Sequence, residues 1–283
     1  MQIVTLTSDF GHQDHYVASL KGSIYSKISH VVIVDISHSI KAFNSSNAAY
    51  QLQSCFNEFP EGTIHIMAVD SEPNLHARIP SKPVVMKFQG HYFIGNNNGF
   101  FGSFLGENEP EFILEMPDKE VKDFASNFTS KSCFVMLAEI ISKKDNLNKI
   151  LEPCLHIKKS YTPISLMEGD RLLGHVINID AFGNIITNIS MDDFQRCGKN
   201  NPFTIYYANK LYYIDRISNH YNEVIAGEKL ALFNSNSLLE IAVNKGVNNV
   251  NAGASKLFGM KIGDTVTVEF TPPGSVKDLN SLF

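Results

Sequence analysis

The 283-residue sequence contains no run of about 18 apolar residues, so no membrane-spanning helix is expected. Its first ten residues, Met1 to Phe10, lack a basic region and a small-residue cleavage site and enter a strand at once. They do not read as a signal peptide. The four cysteines, Cys55, Cys133, Cys154 and Cys197, are scattered without CxxC spacing, which fits reduced thiols in a cytoplasmic protein. The formal net charge is −5 and no Lys/Arg cluster stands out. The basic footprint that phosphate backbones require is missing, so nucleic acid is not an expected partner. No GxGxxG follows the first strand and no GxxxxGKS or GxxxxGKT occurs, so nothing is built for a phosphate group.

What is present divides in two. Apolar residues make up 43% and charged ones 19%, enough for a normal core. The length is near the size at which chains split into domains. The first half alternates strands with helices. Strands are expected at Ile3–Thr7, Val31–Ile36, Thr63–Val69, Val84–Phe88 and Tyr92–Gly95, with Gln89-Gly90 joining the last two. Helices are expected at His15–Ile28, Asn44–Phe59 and Ser132–Ser142, each with apolar residues three and four apart. This pattern predicts an α/β domain over 1–157 with a mostly parallel sheet. Lys158–Glu168, with Pro163 inside it, reads as a linker. Residues 169–283 show short strands broken by turns and few helices, which predicts an all-β, barrel-like second domain.

Two segments carry the chemistry. Thr7-Ser-Asp-Phe-Gly-His-Gln-Asp-His-Tyr16 and Asn178-Ile-Asp-Ala-Phe-Gly-Asn184 each leave an apolar run at a turn containing Asp and Gly. Ligands of open α/β sheets bind outside the carboxyl ends of the strands, where Asp9 and Asp14 fall. A carboxylate accepting two hydrogen bonds suits a ribose diol or an amino group. Asp180, Phe182 and Asn184, two residues apart, offer an acceptor, a stacking face and an amide edge. A ribose-bearing ligand without phosphate is expected, held between two domains or two subunits. Ordinary turn chemistry explains either segment equally well. His12, Asp14 and His15 are an alternative metal-ligand set, and His38 after Asp35 an alternative hydrogen-bonded histidine.

Thr7-Ser-Asp-Phe-Gly11 with Asp14, Lys21-Gly22, Val34-Asp-Ile-Ser-His38, Phe59-Pro-Glu-Gly-Thr-Ile-His65, Val69-Asp70, Ile179-Asp-Ala-Phe-Gly-Asn184, Asn234-Ser235 and Leu239-Glu-Ile-Ala242, in this order, resemble the S-adenosylmethionine hydroxide adenosyltransferases, relatives of the fluorinases and chlorinases. The resemblance implies an α/β domain, a β-barrel domain and a homotrimer. Its small-molecule substrate, S-adenosylmethionine, would lie between subunits, with no metal or other cofactor. Asp9 would hold the ribose hydroxyls, and Asp14 and Asp180 the amino group. Phe182, Asn184 and Tyr221 would frame the adenine, and Ser235 would meet the carboxylate. Water or hydroxide would attack C5′ and expel methionine. Among the catalytic positions Asp70 matches, with Arg78 offset by one residue and expected to keep Asp70 charged. Thr129 stands where the family has His, and Lys131 where it has Arg. His76, in the altered turn, is either a substitute base or a surface-loop histidine. No insertion follows Arg78, unlike in the halogenases. The alternative reading is a catalytically weak protein of the same fold that binds S-adenosylmethionine or adenosine, and Thr129 favours it.

Overall fold

The computed structural model describes residues 1–123, 128–159, 164–247 and 252–271. The chain divides into two compact units, Met1–Thr162 and Pro163–Phe283. Pro163 of the expected linker and residues 272–283 of the expected second domain lie outside the described residues.

The first unit is a seven-stranded sheet flanked by helices. Its strands are β1 (Gln2–Ser8), β2 (Val31–Ser37), β3 (Ile64–Ala68), β4 (Pro83–Phe88), β5 (His91–Asn96), β6 (Phe112–Glu115) and β7 (Glu152–Pro153). They lie in the order β2-β1-β3-β5-β4-β6-β7. Its helices are α1 (Tyr16–Lys27), α2 (Ser45–Gln53), α3 (Phe100–Leu105), α4 (Asp118–Asp123) and α5 (Val135–Ser142). Strand alternation sorts the core. Ile64, Ile66 and Ala68 of β3 join α1 and α5 on one face. Met67 and Val69 meet α2 and α3 on the other.

The sheet is mixed, which corrects the expectation of a mostly parallel one. β1 runs parallel to β2 and β3, and β3 to β5, whereas β4 is antiparallel to β5 and β6, and β6 to β7. The cause is local. Gln89 and Gly90 both have positive φ, 49° and 77°, the geometry of a tight two-residue hairpin turn. A two-residue connection returns the chain antiparallel, since a parallel partner needs a long crossover.

Two helices differ in extent from the sequence pattern. α2 begins as expected, with Asn44 accepting from the Asn47 N–H at 3.0 Å. It stops at Gln53 because Ser54 Oγ and Cys55 Sγ turn back to bond the Tyr50 and Gln51 carbonyls, and a short 3₁₀ turn, Phe56–Glu58, follows. The last long helix starts early as a π-helical stretch, Ser130–Phe134, that runs directly into α5.

The second unit is an antiparallel sheet of β8 (Leu166–Glu168), β9 (Arg171–Ile179), β10 (Ile185–Ser190), β11 (Phe203–Tyr207), β12 (Asn209–Ile214), β13 (Lys229–Phe233), β14 (Leu238–Val243) and β15 (Thr265–Phe270). The order is β12-β11-β15-β9-β10-β14-β13, with β8 paired to β9. β12 also approaches β13, so the sheet is a nearly closed barrel. Residues 166–168, read as linker, instead form a hairpin with β9 around Gly169, whose φ of 62° suits the turn. Two short helices, α6 (Met191–Gly198) and α7 (Ala254–Phe258), interrupt the strands. Among the described residues, no helix is long and apolar enough to cross a membrane.

Candidate active site

The carboxyl ends of β1 and β3 make the candidate site of the first unit. Asp9 directly follows β1. Its Oδ2 accepts from the Phe43 N–H at 3.0 Å and lies 3.5 Å from the Asp70 N. The Asp9 loop is pinned from behind by His38. The His38 carbonyl accepts from the Gly11 N–H at 2.8 Å, and its Nδ1 lies 2.7 Å from Ser8 Oγ. Its Nε2 lies 3.0 Å from Asp35 Oδ1, and Lys21 meets the other Asp35 oxygen at 2.5 Å. Burial holds His38 below the ordinary imidazole range, so near neutral pH it is an uncharged link in this chain of contacts. Ser8 and His38 are both buried, which excludes them from contact with a ligand.

Asp70 follows the buried end of β3 with φ at 47°, a left-handed conformation. Asn98 fixes that turn: its Nδ2 donates to the Val69 carbonyl at 2.9 Å and the Asp70 carbonyl at 3.1 Å. Burial, and then the neighbouring Asp9 carboxylate, push the Asp70 carboxyl above its ordinary range, while Lys158 opposes them. The expected pairing with Arg78 is not among these interactions. Arg78 is exposed and, among the described residues, forms no ion pair within 4.0 Å. His76 is also exposed.

Thr129 is buried and is held by a residue that the sequence reading missed. Its backbone N–H donates to Glu72 Oε1 at 3.0 Å and its hydroxyl to Glu72 Oε2 at 2.7 Å. Asp9, Phe10, Tyr16, Phe43, Asp70, Ser71, Glu72 and Phe128 line one cleft of about 370 Å³. One wall is aromatic, with Phe10, Tyr16 and Phe128 ring centres 5.5 to 5.8 Å apart. The cleft thus gathers three carboxylates, and among the described residues no Lys or Arg lines it. Asp14 is exposed at the foot of α1, beside His15, whose ring lies tilted against Tyr16 with centres 4.5 Å apart. His12 packs instead on His38. Among the described residues, no group of three or more His, Cys, Asp or Glu is arranged to hold a metal ion.

In the second unit two of the predicted residues, Asp180 and Tyr221, act on a buried acid, Glu240. Asp180, just after β9, closes a turn: Oδ1 accepts from the Phe182 and Asn184 N–H groups at 2.9 and 2.8 Å, and Oδ2 from Asn184 Nδ2 at 3.0 Å. Phe182 projects from this turn, 59% exposed. Tyr221 donates its hydroxyl to Glu240 Oε1 at 2.6 Å, and Asn234 Nδ2 lies 3.4 Å from Glu240 Oε2. Ser235, exposed, is next to Asn234. Glu240 is 4% exposed, and burial, with some help from Asp180, raises its carboxyl above the ordinary range. Its sequence signal was one acid inside the apolar strand Leu238-Leu-Glu-Ile-Ala-Val243. A separate cleft of about 520 Å³, lined by Arg171, Tyr206, Thr265, Thr267 and Glu269, holds none of the predicted site residues.

Comparison with known proteins places this geometry. Residues 4–151 match the SAM hydroxide adenosyltransferase N-terminal domain, and residues 174–267 the C-terminal domain of that family. The chain is 30% identical over 198 residues to the (R)-S-adenosyl-L-methionine hydrolase of Methanocaldococcus jannaschii, covering 68% of this chain and 69% of that protein. It is 24% identical over 228 residues to a fluorinase of Nocardia brasiliensis, covering 69% and 74%. An uncharacterised conserved protein of Thermotoga maritima has a similar structure, with a TM-score of 0.79 at 26% identity over 94% of this chain and 99% of that one. The chain belongs to the SAM hydroxide adenosyltransferase family.

Proposed function

We propose that this protein hydrolyses S-adenosyl-L-methionine to adenosine and L-methionine, by attack of water on C5′ of the ribose. The observation that carries this reading is the cleft at the ends of β1 and β3, with three carboxylates and an aromatic wall, in a chain of this family. The substrate carries a sulfonium, an ammonium and one carboxylate, a net positive charge, and an acidic aromatic cleft attracts it. Asp9 fits the ribose hydroxyls, because its Oδ1 has no protein hydrogen bond among the described residues. The sulfonium leaves as a neutral thioether, so no general acid is needed. The site has to hold water in line with the C5′–S bond, roughly 3 to 3.5 Å from carbon. Asp70 suits the water: its raised pKa makes it a better proton acceptor than an ordinary aspartate.

Asp14 and Asp180 would hold the amino group. Phe182, Asn184 and Tyr221 would frame the adenine, and Ser235 would meet the carboxylate. Arg78 and Thr129 complete the proposed catalytic set, Arg78 only if its loop closes toward bound substrate. The proposed residues are split between the two units, which supports a homotrimer whose sites each draw on two subunits. A cytoplasmic location suits a substrate made and used inside cells, and besides that substrate the reaction needs only water. Incubation with S-adenosylmethionine, followed by chromatography, should show adenosine and methionine in equal amounts. Binding without release of either product would favour a binding protein instead.

A further inference from the structure

The hydrolytic reading leaves open which groups handle the nucleophile, since Arg78 stands away from Asp70 and Thr129 cannot accept a proton near pH 7. Glu72 lines the same cleft as Asp9 and Asp70. Both of its oxygens are tied to Thr129, at 3.0 Å from the N–H and 2.7 Å from the hydroxyl. These bonds fix a carboxylate that would otherwise swing on an exposed loop. Each carboxylate oxygen can accept two hydrogen bonds, so capacity for a water remains after Thr129 is satisfied.

We propose, resting on the hydrolytic reading above, that Glu72, positioned by Thr129, is a second water-holding group for this reaction, and that the nucleophile is neutral water and not an anion. Water has two hydrogens to donate. Asp70 and Glu72 are two residues apart and line one cleft, so each can accept one, which leaves an oxygen lone pair for C5′. As the O–C5′ bond forms, the C5′–S bond breaks and its electron pair stays on sulfur, giving the thioether of methionine. One water proton passes to a carboxylate and then to solvent, and the other remains on the 5′-hydroxyl of adenosine. The cation becomes two net-neutral products and one proton, so the step balances. The same charges argue against an anionic nucleophile. A hydroxide or halide entering a cleft lined by three carboxylates meets like-charge repulsion, which Lys158 near Asp70 offsets only in part.

The bland alternative is that Glu72 only caps the helical stretch that begins at Ser130, just after Thr129. The two separate in kinetics. Wild type, Glu72→Gln, Thr129→Val and Thr129→Ser are compared for adenosine release at saturating substrate, for substrate affinity by calorimetry and for thermal unfolding. Glu72→Gln keeps one acceptor for Thr129 and should fold. It is expected to lower kcat by about 10- to 100-fold with affinity changed less than about twofold, the pattern of an interaction made mainly in the transition state. Thr129→Val should fall into the same range. Thr129→Ser, which keeps the hydroxyl, should recover most activity. Added chloride or fluoride should give no halogenated nucleoside. A Glu72→Gln protein with wild-type kcat and a lowered unfolding temperature would make Glu72 a cap and overturn the proposal, as would a halogenated product. Wild type that binds substrate but releases no adenosine would overturn the hydrolytic reading itself and this inference with it.

Discussion

Asp9 and Asp180 both stand one residue past the end of a strand, and they use their oxygens in opposite ways. Asp180 accepts three hydrogen bonds, all from residues within four positions of itself. Asp9 accepts from groups 34 and 61 positions away, through one oxygen only. A carboxylate bonded only by its near neighbours specifies a turn through local contacts alone. A carboxylate held from afar exists in its working position only after β1, β3 and the loop at Phe43 have assembled, and it keeps an oxygen for something outside the protein. The two motifs look alike in sequence, yet Asp180 is bonded wholly within its own turn, whereas Asp9 is bonded only to distant parts of the chain.

This contrast can be broken by substitution. The largest effect is expected at Asp180→Ala. It removes three acceptor bonds and leaves the buried Asn184 N–H without a partner, so about 3 kcal/mol of stability should be lost from the second unit, read as a lower denaturation midpoint. Unchanged stability would mean that the Asp180 carboxylate is there chiefly for a ligand. Next comes Asp9→Ala, for which the fold should change little. Substrate affinity measured by calorimetry should drop by roughly 1.5 to 3 kcal/mol, or about 10- to 100-fold, the cost of hydrogen bonds to a charged acceptor. A folded Asp9→Ala protein with full affinity would erase the distinction. The smallest effect on the fold is expected for Phe182→Ala, within about 0.5 kcal/mol of wild type, as for an exposed side chain. Its substrate affinity should nevertheless weaken measurably if the ring stacks on adenine.

Much of this was legible in the sequence because it is local. β1 to β5 and β9 to β15 follow from short apolar runs bounded by turn residues. The division into a unit with flanking helices and a barrel-like unit follows from the change in pattern near residue 160. The sheet's mixed direction was written in Gln89-Gly90, but pairing order is a long-range property. β6, only four residues long and inserted beside β4, has no periodic signature. The short helices α3 and α7 escaped because five or six residues are too few to show a period, and α6 because its eight residues sit among strands. At the site, Asp9 was found because it follows a strand, and Asp70 because it matches the family resemblance. The partners of Asp70 were not, because Asp9, Asn98 and Lys158 reach it from distant parts of the chain. Glu72 was hidden for the same reason: it matters through Thr129, which is 57 positions away. Glu240 was a visible anomaly, a charge within an apolar strand, whose meaning needed the Tyr221 hydroxyl beside it.

The left-handed backbone at Asp70 bears on how this chain can change over generations. A non-glycine residue at φ 47° costs on the order of 1 kcal/mol, and aspartate is among the side chains that tolerate it best. Glycine would relieve that cost and delete the carboxylate in a single replacement. Selection for robustness alone therefore pushes position 70 toward glycine, and only selection on the cleft holds aspartate there. Among descendants of this sequence, the identity of residue 70 should record whether the cleft is still in use.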